Sequence, residues 1–459
     1  MTKVSIIITC HNYGRFLPKA IDSVISQTFD DWQVIVVNDG STDNSAEVAS
    51  RYEANEKISV LTLDGIGLAK AANRGIAASS GEYVIRLDAD DYFDENILHV
   101  LTNILDRHPE YGMVYPDYYR VSKYGEIIDQ VRQPKVNDEV KLLDRSALAA
   151  GALYRRSCYD TLGGYCEELQ YQEDYDFWIR FIENFLVYNV QLPLMYYRQH
   201  GASMSTNTEK RMEARRYVKQ KFADDSRELK DKKILCVLPI IAENRYQHGL
   251  PLVKLGGRPL LSYVIEEAKK VKLFDRIIVD TEDEEIAEVS KTWGADVPFI
   301  RHRRLAKLDV QPNEVMRHLL SNLAEQEHYR PDIVLMSHYN YPFARSEHME
   351  EAVNSLAIHH CDSVVGVGAN IKFHWQPGPD GLEPVLYPRN LVADQKWVTY
   401  EERGGIYAFN PANLQMNSLF GTSVSFIELN ETEGMRIDSD LHMWLAEKFL
   451  ETGYLEKKK

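Results

Sequence analysis

Three carboxylates, those of Asp88, Asp90 and Asp91, follow directly after a short, mostly apolar segment at residues 84–87. That segment is rich in β-branched and aliphatic residues and predicts a strand buried in a sheet. We expect the backbone to stay extended beyond it, so that Asp88 and Asp90 project to the same side. Carboxylates held so close repel each other unless a cation lies between them, and Mg²⁺ or Mn²⁺ would bind there together with phosphate oxygens. The alternative is a solvated turn between strand and helix, with Asp91 or Asp94 as the helix cap.

Composition predicts a globular chain of two domains. Its 459 residues are 44% hydrophobic and 27% charged, as in ordinary globular proteins, and the length suits two separate cores. The formal net charge of −16 argues against a nucleic-acid or anionic-membrane partner. No apolar run reaches membrane-spanning length, and no signal peptide is evident. Five scattered cysteines without a Cys-x-x-Cys pair indicate reduced thiols. We therefore expect a cytoplasmic protein.

The elements that must position the carboxylates follow an alternating pattern. Apolar runs at residues 4–9 and 32–37 predict parallel strands buried on both faces, and a helix at 16–27 lies between them. Polar loops at 10–14 and 38–43 follow the two strands. Ligands bind at the carboxyl edge of such open α/β sheets, so we expect the site there.

Four segments in order carry a family resemblance: 4–9 with Asn12, 36–43, 67–75 and 81–91. On these segments, residues 1 to about 205 resemble a family 2 glycosyltransferase of the GT-A fold. The resemblance implies a metal-dependent, inverting transfer of a hexosyl or N-acetylhexosaminyl group from a nucleotide-diphosphate-sugar, a UDP-sugar being favoured. It also implies Mn²⁺ or Mg²⁺ as the cofactor.

The resemblance assigns roles at the donor end residue by residue. Thr9 and Asn12 would border the nucleotide base, and Asp39 would accept hydrogen bonds from that base. Asp88 would face the ribose, and Asp90 would hold the metal that bridges the two phosphates, where a Lewis acid stabilises the departing diphosphate. The alternative for Asp39 is a purely structural role in an Asn-Asp-Gly-Ser turn.

A second acidic pair, Glu173 and Asp174, precedes a helical pattern that begins near Glu173. Acidic residues in a first helical turn interact favourably with the helix dipole, which is one explanation of the pair. In the resembled family this pair lies at the acceptor side, and the aspartate is the usual general base. We therefore predict Asp174, rather than Glu173, as the catalytic base.

Residues 196–203 resemble the segment that closes over the donor diphosphate in many relatives. Arg198 and His200 would then lie on the phosphate side, and His200 is also a candidate metal ligand. The alternative is the end of a surface strand.

A second domain begins where a charged segment ends. We predict boundaries of 1–220 for the first domain, 221–232 for a charged linker and 233–459 for the second domain. The second domain resembles the cytidylyltransferases that activate sialic acid and related sugars. The matching segments are 255–260, 273–279, 283–289, 294–299, 362–365, 405–409 and 437–441.

The second domain departs from the family at the positions that would bind CTP. Ile241, Leu250 and Pro251 stand where the family has a basic clamp for the triphosphate. Arg436 replaces the first acid of the metal-binding Asp-x-Asp that ends at Asp438. We therefore expect a degenerate domain that has kept the fold and lost the reaction.

Together these patterns predict an α/β protein with two Rossmann-like nucleotide-binding domains in tandem, GT-A followed by cytidylyltransferase-like. The function we expect is glycosyl transfer to a glycan or protein acceptor, in bacterial surface polysaccharide synthesis or protein glycosylation. The second domain would serve recognition or form a homodimer. One alternative is a bifunctional enzyme that also makes a CMP-activated acidic sugar. Another is a non-catalytic sugar-nucleotide-binding protein.

Overall fold

The computed structural model describes residues 2–133, 135–136, 151–200, 208–226, 228–370, 374–378, 381–385 and 399–454. The chain divides into two compact units, Met1–Val218 and Lys219–Lys459. The division falls within the helix Thr208–Ser226, a short distance before the segment 221–232 that is predicted as a linker. Across the described ranges, no helix is long and apolar enough to cross a membrane.

The first unit alternates strands and helices. Its elements are β1 Val4–Cys10, α1 Leu17–Ile25, β2 Trp32–Asp39, α2 Ser45–Ser50, β3 Ile58–Leu63, α3 Leu68–Ala77, β4 Tyr83–Asp88, β5 Tyr92–Phe93, α4 Ile97–Arg107, β6 Tyr111–Val121, β7 Ile127–Val131, β8 Leu153–Arg155, α5 Arg156–Leu162, α6 Glu173–Asn184, β9 Leu186–Arg198 and α7 Thr208–Ser226.

One mixed sheet forms the centre of the first unit. Its strand order is β3-β2-β1-β4-β8-β6-β9-β5, with β7 paired to β6. The β1, β2, β3 and β4 strands are parallel to one another, and β8 pairs antiparallel with β4. All residues of β1 are buried, because helices cover both faces of the sheet, as its continuous apolar run predicts. The carboxyl ends of β1, β2 and β4 therefore meet at one edge.

The chain turns sharply where β4 ends at Asp88. The backbone N–H of Asp91 donates to the carbonyl oxygen of Asp88 at 3.0 Å, which closes a tight turn. The prediction that the backbone stays extended through Asp90 is therefore wrong. The reason is that β5 begins at Tyr92 and pairs antiparallel with β9, so the chain must change direction between the two strands.

The second unit is also α/β. Its elements are β10 Ile234–Pro239, β11 Lys254–Leu255, β12 Arg258–Pro259, α8 Leu260–Lys270, β13 Arg276–Asp280, α9 Glu284–Trp293, α10 Pro312–Gln326, β14 Ile333–Ser337, α11 Ser346–His359, β15 Ser363–Asn370, β16 Trp375–Gly378, β17 Gly381–Pro384, β18 Thr399–Phe409, β19 Val424–Glu428 and α12 Asp440–Thr452. Short 3₁₀ turns lie at Leu250–Leu252, Arg303–Leu305 and Pro411–Met416.

A six-stranded sheet of order β13-β10-β14-β18-β15-β19 forms the core of the second unit. The β10 strand is parallel to β13 and β14, whereas β18 runs antiparallel to β14 and β15. The β16 and β17 strands form a separate two-stranded ribbon. The predicted α/β class holds for both units.

Candidate functional site

A cavity of about 1020 Å³ opens at the carboxyl edge of the first sheet. The ends of β1, β2 and β4 contribute to its wall, and so do the segments that begin α3 and α6. The predicted site residues that line it are Thr9, Asp39, Asp88, Asp90, Glu173 and Asp174. Three others, Asn12, Arg198 and His200, are not among the lining residues. The structure thus brings both predicted acidic groups to one cavity, although about 85 residues separate them in the chain.

Asp39, at the end of β2, is hydrogen-bonded to the loop that precedes α3. Its Oδ1 accepts the backbone N–H of Ile66 and its Oδ2 that of Gly67, each at 2.8 Å. Nδ1 of His11, which also lines the cavity, donates to the Asp39 carbonyl oxygen at 2.6 Å. Asp39 therefore fixes the loop that precedes α3, in addition to presenting its carboxylate edge to the cavity.

Gly40 is required for the approach of that loop to β2. Its φ is +68°, a conformation that favours glycine. A Cβ on Gly40 would lie 2.5 Å from the backbone nitrogen of Gly65. The small residue after Asp39 thus allows the two backbones to pack in direct contact.

Thr9 and Asn12 have different environments. The Thr9 hydroxyl donates to Asp88 Oδ1 at 3.1 Å and lies in the cavity wall. Asn12 has a φ of 61°, and its Oδ1 accepts the backbone N–H groups of Thr42 and Asp43 at 2.7 and 3.3 Å. In the structure, Asn12 therefore shapes the neighbouring turn, and its role beside a nucleobase stays a prediction.

His200 contacts the predicted metal ligand. Its Nε2 lies 2.9 Å from Oδ2 of Asp90, and its ring stacks on Phe16 with centroids 5.2 Å apart. Burial raises the pKa of the Asp90 carboxyl, the charge of Asp88 raises it further, and the His200 contact lowers it. Negative charge is thus concentrated at this turn without full compensation by the protein.

Arg198 stabilises the turn at Asp90 and Asp91 through hydrogen bonds to both residues. Its side chain is buried, and its Nε donates to the carbonyl oxygen of Asp90 at 2.8 Å. Its backbone N–H donates to Asp91 Oδ1, also at 2.8 Å, and its Nη1 lies 3.1 Å from the carbonyl oxygen of Lys123. The guanidinium is therefore directed at backbone oxygens, and contact with a phosphate remains a prediction.

Asp91 is fully buried, although the sequence indicates only a possible helix cap. Its Oδ2 has no hydrogen-bond partner among the described residues. Burial, together with the charges of Asp90 and Asp88, raises the pKa of the Asp91 carboxyl well above its ordinary value. A protonated Asp91 would relieve the repulsion within the turn.

The donor set at this turn suits a divalent cation that also binds a ligand. The described residues contain no cluster of three or more histidine, cysteine or carboxylate side chains that could hold a metal ion. Mg²⁺ and Mn²⁺ are commonly held by one or two carboxylates, with phosphate and water oxygens completing the shell. The uncompensated charge at Asp90 fits that second arrangement, in which the nucleotide supplies part of the coordination.

Arg86 contacts both acidic groups, and it is not among the site residues predicted from the sequence. The side chain is 4% exposed, with Nη1 3.0 Å from Glu173 Oε1 and Nε 3.3 Å from Asp88 Oδ1. Burial alone would lower the pKa of the Arg86 guanidinium, but the carboxylates of Asp88 and Glu173 raise it well above its ordinary value. The available signal was a single cation in an otherwise apolar strand, since such a charge is stable only when it is paired.

Glu173 and Asp174 begin α6, and both line the cavity. Glu173 is buried, and this burial, with the charge of Asp174, raises its pKa to about 7, although Arg86 acts in the other direction. Asp174 is half-buried, and its Oδ1 accepts the N–H of Tyr175 at 2.9 Å. Asp174 is thus the more accessible of the two carboxylates.

Gln172 precedes the pair in a left-handed conformation with a φ of 61°. That conformation is unusual for a residue with a Cβ and needs support from its surroundings. Arg215 of α7 supplies it, because its Nε donates to Gln172 Oε1 at 2.7 Å. The position of Glu173 and Asp174 therefore depends on a contact with α7.

In the second unit, the positions at which the cytidylyltransferase family binds the triphosphate with basic side chains are occupied by uncharged residues. Leu250 and Pro251 are buried in the core. Asp438 lies 3.8 Å from Arg436 and accepts a 2.7 Å hydrogen bond from His442. The Tyr246 hydroxyl donates to Asp440 Oδ1 at 2.6 Å, so the carboxylates of both Asp438 and Asp440 already have partners within the protein.

Comparison with known proteins finds a different family match for each of the two units. Residues 5–163 match the family model described as glycosyl transferase family 2, and residues 248–425 match the model described as cytidylyltransferase. An uncharacterised glycosyltransferase from Nostoc sp. is 31% identical over 214 residues, which cover 44% of this chain and 66% of the relative. An uncharacterised glycosyltransferase from Rickettsia typhi is 32% identical over 213 residues, covering 45% and 66%. The alignments thus span slightly less than two thirds of either relative's own length.

Among solved structures, that of Staphylococcus aureus TarS residues 1–349 in complex with UDP-GlcNAc is similar to 48% of this chain. The match covers 67% of the TarS chain, with 21% sequence identity and a TM-score of 0.42.

Proposed function

We propose that this chain, in which a family 2 glycosyltransferase domain precedes a cytidylyltransferase-like domain, transfers a sugar from a UDP-sugar to a hydroxyl group with inversion. The acceptor would be a glycan or a protein, in bacterial surface glycan synthesis or protein glycosylation. The observation that carries the proposal is the convergence of Asp39, Asp88, Asp90 and the Glu173–Asp174 pair on one cavity. A non-catalytic binding protein would not need the second acidic pair.

At the donor end, the wall formed by Thr9, Asp39 and the loop at residues 65–67 would receive the nucleoside. Asp39 accepts two backbone hydrogen bonds, and each carboxylate oxygen can accept a further one from a base N–H. Asp88, held by Thr9 and Arg86, would accept from a ribose hydroxyl.

Asp90 and His200 would hold a divalent cation, Mn²⁺ or Mg²⁺. Such an ion supplies Lewis-acid stabilisation of the negative charge that develops on a departing nucleoside diphosphate. The protein's own part is to keep the Asp90 turn rigid. Arg198 does this through its bonds to the Asp90 carbonyl oxygen and the Asp91 carboxylate.

At the acceptor end, Asp174 would take the proton of the acceptor hydroxyl as that oxygen attacks the anomeric carbon. Its partial exposure to the cavity allows an acceptor to reach it, whereas Glu173 is buried and paired with Arg86. Transfer by one direct displacement inverts the anomeric configuration, and a single carboxylate base is sufficient for it.

A panel of UDP-, GDP- and CMP-sugars tests the proposal. With the full chain and Mn²⁺, we expect a UDP-sugar to be hydrolysed slowly and to raise the melting temperature. Asp174→Asn should keep the thermal shift and lose the hydrolysis. A chain that is neither stabilised by nor active on any nucleotide-sugar of the panel would contradict the proposal.

For the second domain, we propose recognition or dimerisation in place of nucleotidyl transfer. The β16–β17 ribbon exposes Trp375 to 45% and Leu382 to 71%, an apolar surface that suits contact with a second copy of the chain. Light scattering of the full chain tests the dimer, and a monomeric mass at micromolar concentration would contradict it.

A further inference from the structure

The α7 helix contributes two arginines to the cavity. Arg211 and Arg215 are four residues apart, so they lie on the same face of the helix, and both line the cavity. Neither residue is a predicted site residue, because both stand in a dense run of charged residues whose sequence alone favours exposure to solvent. The two cations therefore need an explanation beyond solubility.

Arg215 is held in place by neutral partners. Its Nε donates to Gln172 Oε1 at 2.7 Å, and its guanidinium lies 5.1 Å from the centroid of the Tyr175 ring. In the part of the chain that the structure describes, Arg215 forms no ion pair. Its orientation is thus fixed through Nε and the ring face, while the two Nη groups can bind a ligand in the cavity.

The position of Arg215 defines which end of the cavity such a ligand would occupy. Gln172 directly precedes Glu173 and Asp174 and Tyr175 directly follows them, so the guanidinium contacts the residues on either side of the predicted base. Glu167 and Glu168 line the cavity as well, so residues 167–174 bring four carboxylates to its wall. Arg86, which also lines the cavity, is paired with Asp88 and Glu173. A negatively charged ligand would be repelled here unless α7 supplied the compensating charge.

We propose that Arg215, with Arg211 beside it, binds an anionic group, a phosphate or a carboxylate, that the acceptor carries close to its reacting hydroxyl. The planar fork of arginine binds both groups through charge-assisted pairs of hydrogen bonds. This inference rests on the proposed glycosyl transfer and names the class of acceptor that it uses.

The test measures binding of a model acceptor to the full chain saturated with UDP and Mn²⁺. Glucose 6-phosphate and glucose are compared by calorimetry or by ligand-observed NMR. We expect the phosphate ester to bind at least about ten-fold more tightly, since hydrogen bonds to charged groups are worth more than neutral ones. Arg215→Gln should reduce that preference to less than about three-fold, and Arg215→Lys should retain part of it.

Lys70→Gln is the matched control. Lys70 lines the same cavity from α3, so its replacement removes one positive charge from a different element of the cavity wall. We expect it to leave the preference for glucose 6-phosphate unchanged. Equal binding of the two sugars to the unmodified chain, or a preference that survives Arg215→Gln, would overturn the proposal.

Two further measurements determine whether the acceptor or the donor sugar carries the anionic group. UDP binding is measured first, and its absence would be a failure of the proposed glycosyl transfer itself. UDP-glucuronate and UDP-glucose are then compared as donors. A preference for UDP-glucuronate that disappears in Arg215→Gln would place the anionic group on the donor sugar and overturn the assignment to the acceptor.

Discussion

Arg86 Nη1 lies 3.0 Å from Glu173 Oε1, and the two side chains form a buried ion pair. Because Arg86 also contacts Asp88, one cation connects the donor end of the cavity with the acceptor end. The pair spans 87 residues of sequence. It fixes the start of α6 against β4, the two elements that carry the predicted catalytic and donor-binding carboxylates.

Replacement of Arg86 should change the pH dependence of transfer. The pKa of Glu173 is raised to about 7, and the cation acts to lower it. We expect kcat/KM to fall as the pH decreases through about 7, because Glu173 gains a proton and its pairing with Arg86 is lost. In Arg86→Gln the pKa of Glu173 rises further, so this acidic limb should move to higher pH.

Arg86→Lys is the control for that experiment, since it keeps the charge and should move the limb less. Thermal melting of both variants checks that they fold. Superimposable pH profiles for Arg86→Gln and the unmodified chain would show that the ion pair does not govern the titration.

Asp174→Asn keeps the shape of the side chain and removes the proton acceptor. We expect kcat to fall by about 10²–10⁴-fold with the affinity for UDP nearly unchanged, as for loss of a general base. Glu173→Gln is the matched variant and should reduce the rate less while removing the titration near pH 7. If Glu173→Gln is the more damaging change, the roles within the pair are reversed.

Asp90→Ala removes a carboxylate from the turn after β4. We expect transfer to be lost and the affinity for UDP in the presence of Mn²⁺ to decrease, whereas UDP affinity in EDTA should change little. Binding of Mn²⁺ by the UDP complex, followed by electron paramagnetic resonance, gives a readout that does not depend on activity. Undiminished turnover of Asp90→Ala would remove the argument for a metal at this turn.

Gly40→Ala should destabilise the first unit more than Gly65→Ala. Both glycines have a positive φ, +68° and +72°, so the backbone cost of about 1–2 kcal/mol is common to the two changes. Only at Gly40 would the new Cβ meet another backbone, at 2.5 Å from Gly65 N, and we expect about 1–3 kcal/mol more destabilisation there. Urea unfolding measures the difference, and equal losses would contradict the close packing.

The full chain should not activate acidic sugars with CTP. Leu250 and Pro251 are buried, and Arg436 repels a metal ion near Asp438, so a triphosphate would lack its counter-charges. Incubation with CTP, Mg²⁺ and a panel of nonulosonic acids, assayed for pyrophosphate and CMP-sugar, checks this. Product formed at an enzymatic rate would favour the bifunctional alternative.

The sequence predicts the strands well because their signal is local. The β1 and β2 strands begin where the apolar runs at residues 4–9 and 32–37 begin and extend one and two residues beyond them, since burial on two faces demands continuous hydrophobicity. It predicts side-chain environments less well because they depend on distant partners. Nothing near Arg86 indicates that Glu173 will neutralise it, and nothing near Asn12 indicates that its amide will bind the turn at Thr42 and Asp43.

Asp39 binds the backbone of Ile66 and Gly67 through both carboxylate oxygens, and this has a thermodynamic consequence for nucleotide recognition. The loop before α3 is already ordered when a nucleotide arrives, so association does not have to immobilise it. We expect the heat-capacity change of UDP binding to reflect the surface buried by the ligand, without the larger negative contribution of a segment that folds on binding.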